Sequence, residues 1–371
     1  MHVSIDVVIP SFRLEEKYIL PILRLKKPAD ATIRFYLVAD NPAVVPSPAI
    51  RSLVDNEQVF LEINPQNLGA ALTRNKGLEM GKGDWILFLD DDIECREDLL
   101  ETYAAAARQY PDETGFIGLI NLPAPKQSFS HAITINGAMD VFATAAKYPT
   151  FAWGATANIM IRRAALGDIR FSLRYPKFGG GEDVDFFIKV RARNGYRDYK
   201  SLPEAVAEHP WWDNERPNFK RPFRYGIGNS WLGQLNPQHA YHDLLNTPEL
   251  LLLLAIATIV LTIINIHWLL PMLLLMAGIL VIEAIAITIQ ALKRKSKRGI
   301  KIFTYLIQLR LVYESGLLWG NLSRFRLTGM GQRFNYNGSF KKNHFYKTST
   351  YRIVKWILYP VLVYVLWRYF R

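Results

Sequence analysis

Asp90, Asp91 and Asp92 follow the apolar run Trp85-Ile86-Leu87-Phe88-Leu89 without a break. Three carboxylates at the end of a buried strand repel one another and are costly to desolvate, so the arrangement makes sense where a cation sits. Hard divalent ions such as Mg²⁺ or Mn²⁺ take oxygen ligands and also bind diphosphates. A metal so placed offsets the charge that grows on a departing nucleoside diphosphate. Acidic residues are also common in exposed turns and helix caps; the apolar strand before this triplet argues for the cation. A second acidic group stands in Gly179-Gly180-Gly181-Glu182-Asp183-Val184-Asp185. Glycines let a backbone approach a ligand or move. Acidic residues at a helix start suit its dipole, so Glu182 and Asp185 can be capping residues. Asp183 is the candidate general base, because an acceptor hydroxyl is a poor nucleophile until a placed carboxylate takes its proton.

The elements that must hold these groups are legible from periodicity. Short β-rich runs predict strands over 3–9, 33–39, 58–63 and 85–89, and helices are predicted over 15–25, 69–80 and 99–109. This alternation implies an α/β fold, a Rossmann-like, mostly parallel sheet with helices on both faces. Ligands of such sheets bind beyond the carboxyl ends of the strands, where Pro10-Ser11, Asp40 and Asp90–Asp92 fall. After about residue 115 the pattern becomes α+β, with a strand over 159–163, a flexible turn at 179–181 and a helix over 183–194. The aromatic and basic stretch 211–237 is expected to loop over the site. Trp211, Trp212 and Tyr225 can stack on flat ligand faces or pack against core or membrane.

Half of the 371 residues are hydrophobic, but unevenly spread. Residues 249–292 are almost uninterrupted hydrocarbon, too long for one spanning helix, and Asn265, His267 and Pro271 interrupt them near the middle. The expectation is a helical hairpin, 250–264 and 268–292. Lys293, Arg294, Lys295, Lys297, Arg298 and Lys301 follow it directly and contribute to a net charge of +12. A hairpin returns the chain to its starting side, so these charges place the N-terminal domain on the cytosolic face of a membrane by the positive-inside rule. The start of the chain lacks a signal-peptide pattern, and the single cysteine, Cys95, excludes an internal disulfide or a cysteine zinc site. No nucleic-acid module is present. Residues 300–322 read as an interfacial helix, and 353–367 as a tilted third span or an interfacial anchor. The reading divides the chain into a catalytic domain over 1–245, a hairpin over 246–292 and a basic cytosolic or interfacial region over 293–371.

The chain resembles the family 2 inverting glycosyltransferases, which have the GT-A fold. The resemblance rests on Val7-Val8-Ile9-Pro10-Ser11-Phe12, on Asn67-Leu68-Gly69 with Arg74-Asn75-Lys76-Gly77, on the aspartate triplet, which is similar to the DxD motif, and on Arg162-Arg163, Gly181-Glu182-Asp183-Val184-Asp185 and His209. The ordered set covers about residues 3–230. It implies that Pro10, Ser11 and Asp40 surround the nucleotide base, usually uracil. Asn67 joins the nucleotide-sugar-binding residues, and Arg74 lies near the donor phosphates or base. Asp90 would face the ribose. Asp92 would hold Mn²⁺ or Mg²⁺, with Asp91 as the alternate and His209 completing the metal site. Asp183 would be the base, with Glu182 beside it. Two departures matter. After Asp40 the family often has a second acidic residue and a Gly-Ser-Thr stretch, whereas Asn41-Pro42-Ala43 follows here, which leaves the base open. Processive members carry Gln-x-x-Arg-Trp, where this chain reads Lys220-Arg221-Pro222-Phe223-Arg224-Tyr225-Gly226. The implied activity is metal-dependent transfer from a nucleotide sugar, UDP-linked, to a hydroxyl of a lipid, lipid-linked or envelope-glycan acceptor. A polyprenyl-phosphate acceptor and a non-catalytic nucleotide-sugar sensor are the alternatives.

Overall fold

Apolar runs with no charged interruption become strands covered on both faces. The computed structural model, which describes residues 2–177, 180–294, 297–338 and 350–371, has β1 (Val3–Ser11), β2 (Ala31–Ala39), β3 (Val59–Ile63), β4 (Trp85–Leu89), β5 (Glu94–Cys95), β6 (Gly115–Asn121), β7 (Thr150–Phe151), β8 (Asn158–Arg162), β9 (Tyr199–Glu208), β10 (Ala240–His242) and β11 (Gln332–Phe334). The principal helices are α1 (Glu16–Leu23), α2 (Ala70–Met80), α3 (Leu99–Gln109), α4 (Ser128–Asn136), α5 (Glu182–Arg193), α6 (Lys220–Leu235), α7 (Thr247–Ile264), α8 (Leu269–Leu292), α9 (Ile300–Leu322) and α10 (Thr350–Phe370). Gly179 and Lys295, named above, lie outside the described residues. The chain forms two units: Met1–Ala124 with Met139–Asn214, and Pro125–Ala138 with Glu215–Arg371. The second unit therefore takes 125–138 and 215–245, which the sequence reading gave to the catalytic part.

In the first unit, the described residues form a nine-stranded sheet in the order β3-β2-β1-β4-β8-β6-β9-β5, with β7 paired to β9. β3, β2, β1 and β4 are parallel. β8 runs antiparallel between β4 and β6, and β6 pairs parallel with β9. This is the α/β, mostly parallel GT-A arrangement that the resemblance implies. β4 is buried at every residue, as a strand sandwiched between helices must be. On one face Val8, Phe88, Ile159, Phe186 and Phe187 share a cluster, in which the Phe171 and Phe186 rings stack at 3.9 Å. Helix α2 lies close on β1 because position 77 is glycine; a Cβ there would come within 2.4 Å of Val8. The chain order departs from β1 in both directions, to β2 on one side and β4 on the other, which makes the β1–β4 end a topological switch point.

The second unit is mostly helical. Asn246 and Glu249 form a reciprocal capping box at the start of α7, and Glu249 also receives Arg333 at 2.7 Å. Glu283, a carboxylate inside the apolar α8, is fully buried. It accepts from Thr247 Oγ1 at 2.5 Å, Tyr351 OH at 2.7 Å and Lys355 Nζ at 2.8 Å, the pairing that a charge in an apolar helix requires. Thr247–Ile264, Ile266–Leu292 and Tyr351–Phe370 are long and apolar enough to cross a membrane, which is consistent with membrane association.

One expectation is corrected. The stretch 211–237 is not all loop, since α6 occupies most of it. Gly226, Gly228, Gly233 and Pro222 lower its helix propensity, which hides it from periodicity. Packing overrides propensity: a Cβ at Gly226 would lie 2.0 Å from the Tyr313 carbonyl oxygen, and one at Gly316 would lie 2.0 Å from the Phe223 carbonyl oxygen. Backbone thus meets backbone between α6 and α9.

Candidate functional site

The ends of β1, β2 and β4 bring the first polar residues of the site together. Ser11 closes β1, and its hydroxyl donates to Asp91 Oδ2 at 2.5 Å while accepting from the Leu14 amide at 2.9 Å. The bond spans the switch point. Burial and the charges of Asp92 and Asp90 push Asp91 up to about 6, against the Ser11 hydrogen bond. Pro10 precedes Ser11 in β1, opposite Val38 of β2.

Asp40 follows β2 and is nearly buried. Its carboxylate accepts from the Leu68 amide at 2.6 Å, the Gly69 amide at 2.8 Å and Asn64 Nδ2 at 2.9 Å. Asp40 therefore ties the loop before α2 to the sheet. Gly69 has φ +87°, a left-handed conformation that favours glycine. Asp40→Ala would strip three donors of their acceptor and is expected to destabilise the unit by about 2–3 kcal/mol, read by chemical denaturation of the purified chain. Asn67 lies in this loop; its backbone oxygen accepts from Lys177, and its buried Oδ1 has no hydrogen-bond partner among the described residues.

Helix α2 divides its residues by face. Arg74 Nη2 reaches Asp90 Oδ1 at 3.4 Å and Nη1 reaches Glu182 Oε1 at 3.3 Å, so one guanidinium links the end of β4 to the start of α5. The adjacent Asn75 pins Phe171 by exchanging two hydrogen bonds with its backbone. At the start of α5, burial and the Asp183 charge raise Glu182 to about 7 against the pull of Arg74. Burial also raises Asp183, whose Oδ1 accepts from the Val184 amide at 2.8 Å. Asp185 turns inward, fully buried, and receives Lys189 Nζ at 2.6 Å. A cleft of about 190 Å³ opens beside Glu182, lined by Gly69, Ala71, Tyr175 and Lys177 among others.

Asp90, Asp92 and His209 each offer a ligand atom within 4.8 Å of the other two. His209 follows β9 and is buried. Its Nδ1 lies 2.6 Å from the Pro210 carbonyl oxygen, which can only accept, so Nδ1 carries the hydrogen. Nε2 then faces Asp92 Oδ1 at 3.4 Å. In a neutral imidazole that places a lone pair against a carboxylate oxygen, a pair that a cation between them reconciles. Two carboxylates and an oriented imidazole fit a divalent ion. Asp90 thus joins Asp92 and His209, while Asp91 is engaged by Ser11 and is not one of the three. Sequence reasoning missed Arg13, 3.7 Å from Asp92 Oδ2; its position two residues after Ser11 was the available signal. It also gave no role to Asp6, a buried carboxylate in β1 that receives Arg163 Nη2 and the Gly83 amide, both at 2.6 Å.

Residues 6–170 match the family model for glycosyl transferase family 2. The succinoglycan biosynthesis protein ExoM of Rhizobium meliloti is 28% identical over 238 residues, 60% of this chain and 72% of that protein. A glucosyl-dolichyl phosphate glucuronosyltransferase of Haloferax volcanii is 33% identical over 66 residues, 18% of this chain and 21% of that one. Staphylococcus aureus TarS, a solved structure, aligns with a TM-score of 0.39 at 16% identity, over 60% of this chain and 39% of TarS. Residues 6–170 thus match a glycosyl transferase family 2 domain, and this match and the relatives support a glycosyltransferase.

Proposed function

We propose that the chain is a metal-dependent, inverting transferase that moves a sugar from a UDP-sugar to a hydroxyl of a lipid, lipid-linked or envelope-glycan acceptor, with its catalytic domain on the cytosolic side of a membrane. The observation that carries this reading is the cluster of Asp90, Asp92 and His209 at the strand ends. A divalent ion, Mn²⁺ or Mg²⁺, held by these three residues would supply positive charge for the diphosphate leaving group. Ser11 and Asp91 border the nucleotide, and Asp40 shapes its pocket through the loop that it holds. Arg74 fixes Glu182 and thereby the start of α5. Asp183 takes the proton of the acceptor hydroxyl as its oxygen bonds to the anomeric carbon, and the bond to the diphosphate oxygen breaks on the opposite face. Burial makes Asp183 a stronger base than an exposed aspartate.

The apolar helices support an acceptor held at a membrane. A second reading, an acceptor phosphate on a polyprenyl chain, is favoured by the Haloferax relative, whose name places a dolichyl phosphate in its substrate. Calorimetric titration of the full chain with UDP, GDP and CDP, each with Mn²⁺ and with chelator, tests the donor assignment. UDP is expected to bind, and only with metal. Equal binding in chelator would remove the metal from the proposal, and no binding of any nucleotide would remove the proposal itself.

A further inference from the structure

Among the described residues of the second unit, several cations have carboxylate partners. Arg310 reaches Glu314, Arg333 reaches Glu249, Arg352 reaches Asp243 and Lys355 reaches Glu283. Arg324 and Arg326, at the end of α9, have no carboxylate partner among the described residues. Arg324 stacks on the Trp231 ring at 4.1 Å and donates through Nη2 to Ser230 Oγ at 2.9 Å. Its Nε and Nη1 are buried with no hydrogen-bond partner among the described residues. Arg326 donates to Gln332 Oε1 at 2.5 Å and to the Ser230 carbonyl oxygen at 3.4 Å. Burial and the neighbouring charge of Arg326 pull Arg324 down to about 10, and burial lowers Arg326 as well. Two half-buried guanidiniums that share Ser230 repel each other until an anion joins them, and a phosphate matches their fork of donors.

The residue between them shows what carries the anion. The Arg326 amide bonds to the Asn321 carbonyl and the Phe325 amide to the Leu322 carbonyl. This is the double hydrogen bond of a Schellman helix end, whose left-handed position is usually glycine. Here that position is Phe325, with φ +55°, and its side chain is 95% exposed. A strained backbone thus presents a phenyl ring to the outside, flanked by the exposed Trp319 and Leu327. Gln332, the partner of Arg326, adjoins Arg333, which pairs with Glu249 in the first turn of α7. The arginines therefore sit near the start of α7, the first of the apolar helices. We propose that Arg324, Arg326 and Trp231 bind the phosphate group of an anionic lipid, with Phe325, Trp319 and Leu327 entering the acyl region beside it.

The site belongs to the second unit and is tested without donor or metal. The full chain in neutral detergent is titrated with dioctanoyl phosphatidic acid, with dioctanoylglycerol and with inorganic phosphate, and bound molecules are counted by native mass spectrometry. Phosphatidic acid is expected to bind, and R324Q/R326Q to weaken it by about tenfold or more. Phe325→Gly guards against misfolding, because glycine suits the left-handed backbone. It is expected to raise the thermal midpoint while lowering lipid affinity, opposite signs that a purely structural residue would not give. Unchanged lipid affinity in Phe325→Gly or in the double variant overturns the proposal. Inorganic phosphate binding as tightly as phosphatidic acid overturns the lipid assignment, and so does equal retention of dioctanoylglycerol.

Discussion

Asp183→Asn is expected to lower the turnover of sugar transfer by about 10²–10⁴-fold, with little effect on nucleotide binding. The substitution is nearly isosteric, and the amide oxygen can still accept from the Val184 amide, so the first turn of α5 should persist. What is lost is the capacity to take a proton. The measurement is single-turnover transfer from a labelled UDP-sugar to total lipid extract, with nucleotide affinity measured in parallel. A fall in turnover of that size at normal affinity supports Asp183 as the base. Near-normal turnover would sink that role and favour an acceptor phosphate, which is already ionised and needs no base. Loss of both turnover and affinity would show instead that the substitution disturbs the site as a whole.

Asp92→Ala carries the second large effect. It removes one of two carboxylates from the cluster with His209, and transfer is expected to fall on the order of 10²–10³-fold. Mn²⁺-dependent UDP binding should be lost with it. His209→Ala should be milder, weakening Mn²⁺ by roughly 10–100-fold, since both carboxylates remain. Asp91→Asn is the contrast: its partner is Ser11, so metal dependence should survive. A metal requirement that vanishes in Asp91→Asn but persists in Asp92→Ala would reverse the assignment.

Much of this was legible in the sequence because local patterns and the global fold agree. Parallel strands buried on both faces read as unbroken apolar runs, which is why 85–89 was predicted to the residue. The polar positions at the ends of β1, β2 and β4 followed from topology alone. The antiparallel half was harder. β9 mixes Lys200, Pro203 and Glu204 with apolar residues, and its bulge near Leu119 shifts the register, so no clean period survives. Side-chain employment was hidden as well. Nothing local distinguishes the loop-holding carboxylate of Asp40 from the exposed acid of a turn, because its donors come from residues 64–69. His209 joins Asp90 and Asp92 only through the sheet, across more than a hundred residues of chain. Arg163 was noted as part of a motif, yet its partner Asp6 lies at the other end of the domain sequence.

The contact between α6 and α9 has a mechanical meaning. Where two helices touch through side chains, small rotamer changes let one slide past the other. At two points of this contact there is no side chain to act as a bearing, since Gly226 and Gly316 leave peptide against peptide, and Gly320 lets the Ser230 hydroxyl come equally close. These two helices form a welded strut, so any displacement of Trp231 carries the end of α9, and with it Arg324, as one piece.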